Sequence, residues 1–127
     1  MERKLDWTAP WMTEEHLMFK ESTRRFFESE VSPHTERWAD QGEVDRDFWY
    51  KAGEAGLLGA SAPAELGGAG ADHSFVAIIC YEQARAGDSG WGFGVHNICM
   101  HYIIAYGNDE QKARWMPGLI SGEIVPA

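Results

Sequence analysis

The stretch from Gly87 to Gly107, GDSGWGFGVHNICMHYIIAYG, constrains this chain more than any other. No Lys, Arg, Asp or Glu lies between Ser89 and Gly107. Trp91, Phe93, Val95, Ile98, Cys99, Met100, Tyr102, Ile103, Ile104 and Tyr106 spread over every side of a helical projection. A helix that is apolar all round is a buried helix. Asp88 or Ser89 is the expected N-cap, and Gly107 suits the left-handed position beyond the last turn. Gly90, Gly92 and Gly94 then fall inside the helix, where each costs about 1 kcal/mol relative to Ala. Such glycines need a reason, either the close approach of another helix or room for a ligand against the backbone. Spacing alone leaves both open.

Length and charge narrow the classes. A chain of 127 residues is one domain's worth, and it buries roughly two-thirds of its unfolded surface. The apolar share of 44% is that of a globular chain rather than a disordered one. A net charge of −9 argues against nucleic acid and anionic membrane, both of which select Lys and Arg patches. Cys80 and Cys99 match no metal or redox spacing and read as buried small hydrophobes. The start, MERKLDW, shows no apolar core of a secretory signal. No apolar run reaches the length of a membrane span.

Taken in order, residues 1–12 form an irregular lead-in that Trp7, Pro10 and Trp11 could tack onto the core. Thr13 is the N-cap of a first helix, with Glu14 and Glu15 in its positive first turn. Phe19, Thr23, Phe26, Phe27 and Val31 share one face. Pro33 should kink or restart the helix; Trp38 extends the stripe and Gly42 ends it. Asp45 is expected to cap a short helix with Phe48, Ala52 and Ala55 on one face and Gly56 at its end. Residues 61–72, SAPAELGGAGAD, read as a loop by composition. Asp72 starts a helix carrying Phe75, Val76, Ile78, Ile79 and Tyr81 as far as Ala86. After the central helix, Asn108 caps a last one, with Gln111 in capping-box register. Met116 and Leu119 give it a core face, and Gly122 stops it. The prediction is an all-α domain, an orthogonal bundle of about five to six helices spanning 13–123. Residues 124–127, led by Ile124 and Val125, are expected to begin a β domain that lies beyond this chain.

No self-sufficient active site emerges. Gly87-Asp88-Ser89-Gly90 echoes a serine-protease nucleophile, but that chemistry needs a His base and an oxyanion hole on a rigid scaffold. The glycines at 67, 68 and 70 do not make the dinucleotide fingerprint, and no strand precedes them. His96 and His101, five apart, are wrongly spaced for two zinc ligands on one helical face and read as partnered core or boundary histidines. Glu14–Glu15 and Asp109–Glu110 sit at helix starts, where the dipole accounts for them.

The motifs nevertheless resemble a family. Pro63-Ala64-Glu65-Leu66-Gly67-Gly68-Ala69-Gly70 is similar to the Pro-x-Glu-x-Gly-Gly-x-Gly loop of acyl-CoA dehydrogenases. Tyr81-Glu82-Gln83 with Ala86 resembles the next helix of that family, and Gly94-Val95-His96-Asn97 its pocket helix. Tyr106 through Lys112, then Trp115, Pro117-Gly118-Leu119 and Ser121-Gly122-Glu123, resemble its closing helix. The matches run in the family's order over residues 13–127.

The resemblance implies a parent enzyme of three parts: this helical domain, a middle β-barrel and a C-terminal helical bundle. Such enzymes hold FAD and oxidise an acyl-CoA thioester between Cα and Cβ. A glutamate takes the α proton while a hydride passes to the flavin, and electrons leave to an electron-transfer flavoprotein. The catalytic glutamate and the flavin contacts lie outside this chain, so neither a catalytic nor a cofactor-binding residue is expected in it; Glu65 reads as a turn residue. FAD is therefore expected in the full-length protein and not on this chain alone. The pocket helix does carry over: Gly90, Trp91, Gly94, Val95 and Ile98 are the expected substrate-facing residues, with Trp91 either filling part of the tunnel or turned toward another helix. No metal site is expected. The family implies a homotetramer or homodimer, in the cytoplasm or the mitochondrial matrix. Acyl-CoA oxidases, nitroalkane oxidases and flavin monooxygenases share the domain, and a free-standing helical interaction module is the reading from another class.

Overall fold

A computed structural model describes residues 6–127. Residues 1–5, with most of the stretch read above as lacking a signal, lie outside the described residues. Six α-helices and two short 3₁₀ turns are present among them, with no strand. The helices are α1 (Glu14–Glu30), α2 (Thr35–Gln41), α3 (Arg46–Glu54), α4 (His73–Arg85), α5 (Phe93–Tyr106) and α6 (Asp109–Ser121). The 3₁₀ turns are Ser32–His34 and Ala64–Leu66.

Local chemistry explains most of the boundaries. The Thr13 side chain accepts from the His16 N–H, and the His16 ring returns the bond to the Thr13 backbone N–H, a capping box closed by histidine. Asn108 and Gln111 make the same reciprocal pair at the start of α6. Asp72 caps α4 by accepting from the Ser74 N–H at 2.9 Å. Pro33 sits in the 3₁₀ turn that separates α1 from α2. Gly42 and Gly122 close α2 and α6 with φ of 84° and 87°, left-handed values that glycine adopts without steric cost.

Three expected caps differ. Asp45 is the N-cap of α3, but its side chain makes no capping bond. Its carboxylate is taken by the Arg37 guanidinium at 2.8 and 2.6 Å, and by the Gln41 amide. A charged fork is a stronger donor than a backbone N–H. Arg37, followed by Gln41, holds the Asp45 carboxyl well below the usual carboxylate range. Gly107 has φ −70°, not a left-handed value; the Asn108 capping box that follows at once requires extended backbone there. The central helix begins at Phe93, four residues later than Ser89, so Gly90 and Gly92 precede it instead of weakening its interior.

Two apolar clusters hold the domain. The larger gathers Phe27, Val31, Trp38, Phe48, Trp49, Leu57, Leu58, Ile79, Trp91 and Phe93 from five helices or their approaches. The smaller joins Met100 of α5 to Met116 and Leu119 of α6, with Ile103, Ile104, Ile120 and Ile124 on its margin. Ala55, expected on the core face of α3, is exposed, because the chain turns off at Gly56 (φ 79°) before its side chain can be covered. The cysteines are not core residues either: Cys80 is exposed and Cys99 half-buried. Both lie in apolar runs, but their helices turn other residues inward, Ile78 and Ile79 in α4 and Met100 in α5.

α3 and α6 approach at their backbones. A Cβ on Gly53 would stand 2.3 Å from the Ser121 carbonyl oxygen, and one on Gly122 2.3 Å from that of Trp49. Arg46 completes the junction by donating to the Gly122 and Glu123 carbonyls at 2.7 and 2.6 Å. α1 packs along α4, and a polar network crosses that interface: Arg24 donates to both oxygens of buried Glu82 and to Asp6, which also receives Lys20. Together Lys20 and Arg24 hold the Asp6 carboxyl down to about 2. Trp7 donates its backbone N–H to the Tyr81 hydroxyl, and its ring lies 5.1 Å from the Tyr81 ring and 5.8 Å from that of Trp11. Residues 6–12 of the lead-in are thus fastened to the bundle, as Trp7 and Trp11 suggest in the sequence.

Candidate functional site

The approach to α5 is shaped by one carboxylate. Asp88 is not the N-cap of α5; it accepts from the Gly90 and Trp91 backbone N–H groups, each at 3.0 Å. Gln83 of α4 donates to Asp88 Oδ2, which also receives the Trp91 N–H, and to the Trp91 carbonyl, each at 2.9 Å. Gly92 then becomes an N-cap with no side-chain bond. Asp88 takes local N–H groups as an N-cap would, but two residues before the helix starts, and Gln83 from α4 joins them there. The only sequence signal of this clasp is the Gln83 of the Tyr-Glu-Gln motif.

α5 is not buried on nearly every side. Only Phe93, His96 and Met100 are buried, at positions i, i+3 and i+7 along one edge. Val95, Ile98, Tyr102 and Tyr106 are exposed, Ile98 at 58% and Tyr106 at 82%. A monomer seldom leaves so continuous an apolar surface uncovered. Hydropathy marks a helix that is to be covered, and cannot say whether the cover comes from its own bundle.

The five predicted substrate-facing residues separate into two groups. Gly94, Val95 and Ile98 lie on the exposed side of α5, and a Cβ on Gly94 would meet nothing within 4 Å. Gly90 is exposed but outside the helix, so it does not continue the Gly94–Ile98 stripe one turn earlier. Trp91 is 3% exposed. Its ring centroid stands 5.0 Å from those of Phe48 and Phe93 and 5.8 Å from those of Phe27 and Trp49. Of its two expected placements, the structure shows the one turned toward other helices.

Polar groups flank the stripe. Ser61 lies 2.8 Å from His101 Nε2 and 3.3 Å from Asn97 Oδ1, tying the glycine-rich loop to α5. The loop folds tightly on itself: Gly68 N–H donates to the Pro63 carbonyl, and a Cβ there would stand 2.2 Å from the Ala62 oxygen. The His73 and His101 rings are 5.1 Å apart. Burial, then the nearby His73, pushes the His101 imidazole below its usual range. His96 bonds the Leu119 carbonyl through Nε2 at 2.8 Å, as a partnered core histidine should. Ser89 and Glu65 are exposed, Glu65 within the 3₁₀ turn Ala64–Leu66. No group of three His, Cys, Asp or Glu is placed to hold a metal among the described residues. A groove of about 490 Å³ runs beside α5 past Asn97, Ile98, His101, Tyr102 and Tyr106. A second of about 290 Å³ lies between Tyr102, Tyr106 and Trp115.

A covering role for α5 has a direct consequence. The 127-residue chain studied alone should bind a hydrophobic reporter dye or self-associate. A monodisperse monomer that leaves the dye dark would show that Val95, Ile98, Tyr102 and Tyr106 tolerate water.

Comparison with known proteins agrees with this architecture. The model of the acyl-CoA dehydrogenase N-terminal domain matches residues 13–123. The long-chain specific acyl-CoA dehydrogenase of Sus scrofa mitochondria is 43% identical over 114 residues, 89% of this chain and 26% of that protein. The crystal structure of an acyl-CoA dehydrogenase from Geobacillus kaustophilus superposes with a TM-score of 0.87 at 39% identity, over 93% of this chain and 31% of that one. An acyl-CoA dehydrogenase from Bacillus anthracis, solved with FAD, gives 0.78 at 34% identity, over 94% and 21%. The chain thus spans about a quarter of the length of the curated relatives it matches. No helix among the described residues is long and apolar enough to cross a membrane. By the match over residues 13–123 and the helical bundle it shares with these relatives, this chain belongs to the acyl-CoA dehydrogenase family as its helical N-terminal domain.

Proposed function

We propose that this chain serves a flavin-dependent acyl-CoA dehydrogenase by forming one wall of the pocket that receives the acyl chain. The observation that carries this is the outward side of α5: exposed Val95 and Ile98 beside Gly94, whose missing side chain leaves open space. Apolar lining with a few placed polar groups is what a small-molecule pocket needs. The wall is Gly94, Val95 and Ile98, with Gly90 at the loop that leads into α5 and Trp91 supporting it from within. The reaction belonging to this reading is α,β-dehydrogenation of an acyl-CoA thioester, with electrons passed to an electron-transfer flavoprotein. A homotetramer or homodimer, in the cytoplasm or the mitochondrial matrix, accompanies it.

Neither groove beside α5 is lined by Lys or Arg, the side chains that would pair with a flavin pyrophosphate. No residue of this chain is assigned to the flavin. The test compares two polypeptides. The full-length protein should purify with bound flavin that bleaches on adding an acyl-CoA thioester. The 127-residue chain should show no low-micromolar flavin binding. A full-length protein whose flavin no acyl-CoA reduces would overturn the proposal.

Gly94 offers a finer test. Gly94→Leu adds four carbons to the open space above the stripe. Overpacking of an apolar site typically costs about 1–3 kcal/mol, and here the penalty should fall on acyl chains long enough to reach it. In the full-length protein kcat/KM should drop about tenfold or more for palmitoyl relative to butyryl thioesters. Parallel profiles for wild type and variant would remove Gly94 from the pocket.

A further inference from the structure

We propose that His96 is a positioning residue for the acyl-binding wall, fixing the rotation and depth at which α5 presents Gly94, Val95 and Ile98; this rests on the function proposed above. His96 sits among those residues in sequence, yet its side chain is fully buried on the opposite edge of the helix. Its Nε2 lies 2.8 Å from the Leu119 carbonyl oxygen. A carbonyl only accepts, so Nε2 carries the proton and Nδ1 is bare. Among the described residues Nδ1 has no hydrogen-bond partner, and burial pushes the imidazole below its usual range.

The post to which His96 is tied does not move easily. Leu119 is in the last turn of α6, whose final carbonyls have no partner within the helix. Arg46 grips the two carbonyls just beyond, and Gly122 lies against the Trp49 backbone. The Trp49 ring also lies 5.8 Å from the His96 ring.

The other buried residues of α5, Phe93 and Met100, make contacts that are apolar. Such contacts are non-directional and tolerate a turn of the helix about its axis. A hydrogen bond weakens steeply with angle and does not tolerate it. The second directional tie of α5, from Asn97 and His101 to Ser61, runs to a loop rather than to a helix. Loss of the His96 donor should therefore let α5 turn, and change the space above Gly94 without touching any group in contact with substrate.

The experiment uses the full-length protein with H96L, H96M and H96Q. Leu and Met remove the donor; the Gln amide restores one near the position of Nε2. The readout is the ratio of kcat/KM for palmitoyl over butyryl thioesters, with the urea midpoint recorded beside it. The ratio should shift about tenfold or more in H96L and H96M and return to within about threefold of wild type in H96Q. Folded variants that all keep the wild-type ratio would overturn the proposal, as would an H96Q shift as large as that of H96L. If H96L and H96M do not fold, H96Q decides alone: a wild-type ratio supports the role and a shifted one overturns it. If wild type itself turns over no thioester, the proposed function fails separately. Amide exchange across residues 94–98 then reads the positioning role: protection lost in H96L and H96M but kept in H96Q supports it, and equal protection in all three overturns it.

Discussion

Trp91→Ala should destabilise the domain by about 3–5 kcal/mol, the usual cost of emptying a large aromatic site in a core. Trp91 is 3% exposed and contacts four aromatic rings contributed by α1, α3 and α5. Phe27 and Phe48 also pack against Phe26, and Trp49 against His96, so these rings are not free to move into the void. The buried indole N–H of Trp91 has no partner among the described residues, so removing it strands no acceptor there and the loss is one of packing. A tunnel-facing Trp91 would behave otherwise: its truncation would widen the pocket for longer or branched acyl chains and leave stability nearly untouched. Urea unfolding distinguishes the two. A lowered midpoint with an unchanged slope is expected. An unfolding free energy within about 0.5 kcal/mol of wild type, together with a gain on long thioesters, would return Trp91 to the pocket wall.

The same residue shows what the sequence discloses and what it withholds. Thr13, Asp72, Asn108, Gly42 and Gly122 are legible as boundaries because each does its work within three or four residues of itself. The core face of α1 is legible for the same reason: Thr23, Phe27 and Val31 recur one turn apart and are buried. Asp45 and Asp88 have the residue type of an N-cap, but Arg37 takes the Asp45 carboxylate, and Asp88 turns to the Gly90 and Trp91 N–H groups ahead of the helix with Gln83 of α4 as a further donor. Partners from another helix carry no local signature. α5 is the limiting case. Its uniform apolarity fixes that it is a helix to be covered, and the order of motifs fixes the family, yet only three of its residues are covered in this chain. The junction of Gly53 with Gly122, where two backbones meet, has no periodic signal at all.

The Glu82 carboxylate carries the other large expected effect. Its side chain is 1% exposed, and Arg24 binds both of its oxygens, between 3.0 and 3.3 Å. Glu82, as the leading cause, raises the Arg24 guanidinium above its ordinary value, and Asp6 adds to the shift. Removing one partner of a buried pair costs about 3–5 kcal/mol when the other is left uncompensated. Arg24 is only partly buried and keeps Asp6 at 3.0 Å, so Glu82→Ala should fall near the lower end, about 3 kcal/mol. The double variant Arg24→Met with Glu82→Met should recover most of that loss, because two thioether chains of similar volume need no counter-charge in the α1–α4 interface. Asp6 adds a check by pH. Its native carboxyl lies at about 2, below the ordinary 3.8. Its contribution is therefore complete above the unfolded value and is lost as pH falls toward the native one, so a Glu82 cycle measured at pH 7 reads the buried pair with Asp6 fully ionised. Glu82→Ala within about 0.5 kcal/mol of wild type, or a double variant no more stable than the single one, would show that the carboxylate does not hold α1 against α4.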